Sequence, residues 1–378
     1  MTEPPAGRPL TVVIAPDSFK GSLTSVQVAA ALRDGWLRAR PSDVVLLAPL
    51  ADGGEGTLEA IAATGGWEWQ VAAVADPLRR PVQARWLRSA DGRQAVVEMA
   101  EASGLSRVAA AERDPVGATS VGTGQLILAA VGAGVSDIVL GIGGSATTDG
   151  GAGILAALGA SIDEAGDAGV TVHALDPRLG AVDLRLACDV TNPLLDDEGA
   201  AATYGPQKGA SPQQVAELDA RLGSWADRLE AATGRHERDT PGAGAAGGIG
   251  FALLAIRDRF RSFALCPGVD LVMDVTGFAA KLAEADLVIT GEGRIDAQTA
   301  FGKTALGVAR RAHARGMPCI AIGGGVTPEG IKALAGLAIV VPVTEQPQAV
   351  EEAMAAGTAP LERCAERIAR LVELGRRL

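Results

Sequence analysis

The sequence predicts two α/β domains: a parallel-sheet domain made from both chain ends, and a mixed α/β domain inserted between them. Three observations carry this reading. A chain of 378 residues is long enough for two cores of ordinary size. Both ends carry continuous apolar runs separated by helical segments, the pattern of strands buried on both faces of a parallel sheet. The middle instead carries alternating strands and long glycine-rich connections. The boundaries are expected near 72 and 285, giving residues 1–72 with 286–378 as the first domain and 73–285 as the insert.

In chain order, TVVIAP (Thr11–Pro16) and VVLLAPL (Val44–Leu50) are unbroken apolar runs and read as buried strands. Between them the spacing predicts a helix from about Ser25 to Arg38, with Thr24 as its N-cap. Val82–Arg88 alternates like a half-exposed antiparallel strand, and Gln94–Glu98 follows the turn at Asp91-Gly92. Ile138-Val139-Leu140 reads as a strand leading through a glycine-rich turn into a helix at 154–158. Leu184–Cys188 is a further strand, and Pro241–Gly250 (PGAGAAGGIG) a glycine-rich connection. The C-terminal third gives strands at Asp286–Thr290, Pro318–Ile322 and Ala338–Val343. Helices are expected near 303–315 and 328–335, and from about Pro360 to the end.

Composition narrows the function. A net charge of −11 disfavours a nucleic-acid or anionic-membrane partner. No stretch approaches the ~20 apolar residues of a membrane span, and MTEPPAGRPL has no apolar leader region. Cys188, Cys266, Cys319 and Cys364 are widely spaced without a CxxC pair, which points to buried thiols in a reducing, cytoplasmic setting. Only five residues are Lys, and three of them (Lys20, Lys208, Lys303) adjoin a glycine. A compact ammonium at a glycine turn suits phosphate or carboxylate. Asn192 is the only asparagine and Tyr204 the only tyrosine.

The most informative stretch is GIGGSATTDGGAG (141–153). Glycines at a strand-to-helix turn let the backbone approach a ligand, and the helix N-terminus offers N–H groups to an anion. Ser145, Thr147 and Thr148 add hydroxyls and Asp149 a carboxylate. A tight packing turn capped by Thr148 or Asp149 would leave the same pattern. Carboxylates beside glycines recur at three strand ends: Asp17 with Ser18 and Lys20, Asp52 with Glu55, and Glu292 with Arg294 and Asp296. Such a cluster needs cations, with Mg²⁺ the natural addition. CDVTNPL and YGPQKGA add Asp189, Asn192, Tyr204 and Lys208. His173, His236 and His313 all fall outside these motifs, so proton transfer is left to a carboxylate, and no GxSxG elbow surrounds Ser145. Gly302-Lys303-Thr304 resembles the end of a phosphate-binding loop, but Ala297 stands where the opening glycine belongs. Gly141–Ala146 fits a G-x-G-x-x-A dinucleotide turn, with an acid about 20 residues on at Asp163, but the run before it is a poor second strand.

Taken together, IAPDSFKGSLTS (14–25), PLADGGEGT (49–57), residues 141–153, CDVTNPL, YGPQKGA, PGAGAAGGIG and ADLVITGEGRIDAQTAFGKT (285–304) resemble the bacterial glycerate kinases of the two-domain, non-P-loop type. They run collinearly over nearly the whole chain. The resemblance implies a flavodoxin-like domain from both chain ends with an inserted domain. It also implies ATP-dependent phosphorylation of D-glycerate, most often at the 2-hydroxyl, and the chemistry adds the expectation of Mg²⁺ and a cleft between the domains.

Roles then follow from chemistry. Asp189, Lys20, Asp17 and Arg294 are the catalytic candidates, with Asp189 the general base and Asp17 or Asp296 the substitutes. Ser18, Asn192, Lys208, Arg294 and Asp296 would bind glycerate. Gly143, Gly144, Ser145, Thr147, Gly302 and Lys303 would hold ATP, and Asp52, Glu55, Asp189 and Glu292 the Mg²⁺. Three alternatives stand beside this: transfer to the 3-hydroxyl, an NAD(P)-dependent hydroxy-acid oxidoreductase using Gly141–Ala146, and a non-catalytic anion-binding protein. A homodimer is left open.

Overall fold

The computed structural model describes residues 8–162, 169–301 and 304–377. Its strands in chain order are β1 (Thr11–Pro16), β2 (Val44–Leu47), β3 (Trp67–Ala75), β4 (Pro81–Ser89), β5 (Gln94–Glu98), β6 (Asp137–Gly141), β7 (Ser161–Ile162), β8 (Val170–Thr171), β9 (Asp183–Ala187), β10 (Ser262–Cys266), β11 (Leu287–Ile295), β12 (Cys319–Val326) and β13 (Ile339–Pro342). The chain divides into two compact units. The first comprises Met1–Asp52, Glu59–Gly65 and Val272–Leu378, and the second Gly53–Leu58 and Gly66–Leu271.

The first unit holds a five-stranded sheet in the order β2-β1-β11-β12-β13. Every pairing in it is parallel. Numbered within the unit this is 2-1-3-4-5, the flavodoxin-like doubly wound order, whose switch point lies between β1 and β11. Val12, Val13, Ile14 and Ala15 are wholly buried, as a strand covered on both faces must be. The helix Ser25–Ala39 begins with a capping box between Thr24 and Gln27. It packs on the helix Ala359–Gly375 at Gly35, where an added Cβ would run into the Glu362 carbonyl. Trp36 closes that layer, its indole N–H donating to Asp43 at 2.9 Å.

β11 and β12 run further than the apolar runs predict. β11 continues through Gly291–Ile295 and β12 through Gly323–Val326, with Arg294 opposite Gly325 and Ile295 opposite Val326. Glu292 and Arg294 are therefore strand residues, not loop residues.

The second unit is built on a six-stranded mixed sheet, β10-β9-β6-β5-β4-β3. Its β5, β6, β9 and β10 are parallel, and β4 and β3 are antiparallel. β3 pairs with β4 along its whole length, so the unit starts at Gly66 rather than near 73. At the other crossing, residues 272–285 group with the first unit. The core gathers Trp86, Met99, Leu126, Ile138, Leu140, Leu184, Leu186 and Phe251. Helices Val121–Gly132, Pro212–Thr233 and Ala245–Ala255 supply much of its cover. The stretch expected as a glycine-rich connection turns helical at Ala245, after which Ala246, Gly247 and Gly248 take left-handed conformations. Among the described residues no helix is long and apolar enough to cross a membrane.

Candidate active site

In the first unit the carboxylates converge at the carboxyl ends of β1, β2 and β11, where doubly wound sheets bind ligands. Asp17 follows β1 directly, and its N–H donates to the Gly291 carbonyl at 2.8 Å. Its carboxylate accepts from Thr304 Oγ1 at 2.5 Å and from Ser18 N at 2.6 Å. Burial first, and then the neighbouring Asp52, push Asp17 above the usual carboxylate range, against the lowering pull of those two hydrogen bonds. Two carboxylates this close disfavour double ionisation, and a bound cation would relieve the repulsion. Lys20, exposed, reaches the half-buried Asp52 at 3.6 Å. Glu292 is buried and accepts from Thr299 Oγ1 at 2.7 Å. Arg294 is exposed, with its Nε 3.2 Å from Asp296. Asp296 also accepts from Gln298 N at 2.9 Å, capping the turn that follows. Gly302 and Lys303, expected at the nucleotide, lie outside the described residues.

In the second unit the glycine-rich turn follows β6. Gly143 N donates to Gly53 O at 3.3 Å and Ala146 N to Ser103 O at 2.9 Å. The Asp149 carboxylate accepts from Ser120 N, Ser120 Oγ, Gly151 N and Gly153 N at 2.8–3.1 Å. Asp149 thus occupies the N-terminus of the helix Ala152–Ala157, and Ser120 Oγ takes the Ile154 N–H at 3.1 Å. The expectation of free N–H groups at that helix start is corrected: a carboxylate of the chain itself is already there. The N–H groups of Gly144 and Ser145, earlier in the turn, make no hydrogen bond among the described residues.

Lys208 is 1% exposed. Its ammonium donates to the Thr147 carbonyl at 2.5 Å, so it holds the turn from within instead of reaching outward to a substrate. Burial lowers its pKa to about 7, partly countered by Asp149. Thr147 and Thr148 are buried with their hydroxyls unpartnered. Gly247 passes so close that an added Cβ would strike the Thr147 carbonyl oxygen, and its φ of +71° is one a side chain would strain.

At the end of β9, Asp189 is exposed and Oδ1 accepts from Gly268 N at 2.9 Å. Asn192, expected at the substrate, is bonded within the chain. Its Nδ2 donates to Glu198 O at 2.8 Å, and its Oδ1 accepts from Tyr204 Oη at 2.7 Å, so both ends of the amide are used. The proposed metal set does not assemble within one unit, since Asp52 and Glu292 belong to the first, and Glu55 and Asp189 to the second. Among the described residues no three His, Cys, Asp or Glu side chains are grouped to hold a metal ion. Mg²⁺ in phosphoryl transfer needs only one or two carboxylates besides the phosphates, and Asp17 with Asp52 fits that requirement. The dinucleotide alternative loses its basis in the topology. After the turn and its helix the chain enters β7, a two-residue strand in a separate hairpin, not a second parallel strand beside β6.

A doubly wound α/β protein with carboxylates gathered at its strand ends is the class that this fold and site define. The sequence profile of the glycerate kinase family matches residues 12–373, and the chain belongs to that family. It is 43% identical to the glycerate 2-kinase of Escherichia coli K12, over 97% of this chain and 99% of that one. It is also 43% identical to the glycerate kinase of Halalkalibacterium halodurans, over 95% and 97%. A crystal structure presented as a candidate glycerate kinase 2 from Salmonella typhimurium LT2 superposes with a TM-score of 0.85 at 41% identity. It covers 98% of this chain and 100% of its own.

Proposed function

We propose that the chain transfers the γ-phosphoryl group of ATP to the 2-hydroxyl of D-glycerate with Mg²⁺, in the cytoplasm. The observation that carries the reading is the Asp17–Asp52 pair beside Glu292 at the switch point of the first unit. Family membership and the glycerate 2-kinase of Escherichia coli support the substrate and the position of transfer.

Phosphoryl transfer asks mainly for positioning and charge stabilisation. Asp17 and Asp52 would hold Mg²⁺, which supplies charge neutralisation on the phosphates. Lys20, exposed beside Asp52, adds a mobile cation for the same oxygens. The unused N–H groups of Gly144 and Ser145 donate to a phosphate oxygen without the turn having to break a bond. Arg294 clamps the glycerate carboxylate with its planar fork, and Asp296 orients it through the ion pair. Ser18 donates its hydroxyl to the same substrate. Asp189 takes the proton from the glycerate hydroxyl, and the Gly268 N–H fixes the direction of its carboxylate. Four free thiols suit a reducing compartment.

ATP consumption with Mg²⁺ and D-glycerate, read by phosphorus NMR, tests this. A 2-phosphoglycerate resonance is expected. A 3-phosphoglycerate resonance refutes the position of transfer, and no turnover of glycerate refutes the substrate.

A further inference from the structure

The second unit carries a pocket of about 980 Å³, open to solvent on one side, that none of the roles above uses. Its wall carries three guanidinium groups, Arg79, Arg221 and Arg228, against one carboxylate, Asp149. That carboxylate is spent on Ser120, Gly151 and Gly153. In a chain of net charge −11, such a lining does not follow from composition.

Arg79 makes no side-chain hydrogen bond or ion pair among the described residues, and it sits at φ +65° without being glycine. That conformation belongs to the tight β3–β4 hairpin turn, where Arg79 N donates to the Asp76 carbonyl at 3.0 Å. Among the described residues Arg221 donates only to the Val116 carbonyl, at 3.1 Å. The Arg228 guanidinium lies 5.7 Å from the ring centroid of Trp225, whose indole N–H is anchored to the Gly150 carbonyl at 2.9 Å. Thr148, 4% exposed with an unpartnered hydroxyl, links this wall to the glycine-rich turn. The remaining wall sets aliphatic side chains such as Val116, Val121 and Ile162 beside Ser161 and Ser224, and the volume lies in the range of cofactor sites.

A metal cation would meet three like charges here, and an inorganic anion would leave the aliphatic wall without a purpose. We propose that this cavity binds a nucleoside polyphosphate, its phosphates on the three arginines and its base against the aliphatic wall. As a binding claim this stands without the glycerate reading. As the seat of the phosphoryl donor it rests on it.

The test is calorimetric titration of the full chain with ATP, with Mg²⁺ present, and separately with tripolyphosphate. Each charged hydrogen bond to phosphate contributes about tenfold in affinity. Arg79→Gln with Arg221→Gln together should therefore weaken ATP about a hundredfold, with an unchanged thermal transition. Arg79→Gln alone, which removes no contact, should weaken it about tenfold and keeps the test readable if the double variant unfolds. A parallel rise in the KM for ATP identifies the bound nucleotide as the donor and overturns the placement of its phosphate on Gly144 and Ser145. An unchanged KM with lost nucleotide binding identifies it as an effector. Wild-type affinity, within twofold, in the Arg79 and double variants overturns the site. Equal affinity for ATP and tripolyphosphate overturns the assignment of the aliphatic wall to a base.

Discussion

Replacing Lys208 with Met should change the pH dependence of stability in a direction set by burial. The ammonium is sealed inside the second unit with a single carbonyl partner, and its pKa falls from 10.5 to about 7. At about 1.4 kcal/mol per pH unit, that drop means that burying the charged form costs on the order of 5 kcal/mol relative to the neutral amine. The unfolded chain keeps its proton up to about pH 10.5, while the folded chain releases it near 7. Between these values the unfolded state binds more protons, so wild-type stability rises with pH. Below pH 7 both states are charged and the penalty is constant.

Lys208→Met removes the titration. Its stability relative to wild type should therefore be most favourable below pH 7, and should decline by about 1.4 kcal/mol per unit above it. Urea unfolding of both proteins at pH 6, 7, 8 and 9, followed through the transition of the second unit, measures that difference. Other titrating groups cancel in the comparison. A difference that stays flat from pH 6 to 9 would refute the picture of a desolvated ammonium. Activity should move the other way, with kcat reduced about tenfold or more as the Thr147 carbonyl loses its anchor.

Asp17→Asn should lower kcat/KM at least a hundredfold in the glycerate assay. It should also raise the melting temperature, because it deletes a carboxylate whose pKa burial and Asp52 push up. Such a group loses stability as pH rises from its unfolded pKa through its folded one. Mg²⁺ at a hundred times its Kd should stabilise wild type by about 2.7 kcal/mol and Asp17→Asn by much less, a comparison that thermal scans with and without the metal decide. Gly247→Ala should destabilise the second unit by about 3 kcal/mol or more, from the clash with Thr147 and the positive φ, as denaturant titration would reveal. Asp189→Asn should cost kcat at least about a hundredfold if it is the base. A near-normal rate would leave Asp17 or Asp296 for that role.

The parallel domain was legible because its strands are buried on both faces and write themselves as unbroken apolar runs, as Thr11–Pro16 does. Thr24 announced its helix through a hydroxyl three residues before Gln27. β3 went unread because Trp67-Glu68-Trp69-Gln70-Val71 mixes charge and aromatics on an exposed edge. The long helix Pro212–Thr233 was also missed, although Ser211-Pro212 and Gln214 carry a capping box that could have found it. The carboxylates at the strand ends were visible as residue types beside glycines. The fate of individual donors was not: whether Asp149 faces a ligand or caps its own helix, and whether Lys208 points out or in, depends on elements far away in the chain. Arg79, Arg221 and Arg228 stood in no motif and meet only through tertiary folding.

The pairing of β1 with β11 joins Val12 to Leu287, and this sets an order on how the molecule is made. A ribosome adding 5–20 residues per second needs roughly ten to fifty seconds to travel between those strands. During that interval β1 and β2 have emerged without their central neighbour. The second unit is nearly continuous in sequence and can close on its own while the N-terminal strands wait. The carboxylate edge around Asp17 is therefore completed only once β11 has emerged, long after Asp17 itself. A chain released before about residue 290 would carry the glycine-rich turn in place but nowhere to build the proposed metal site.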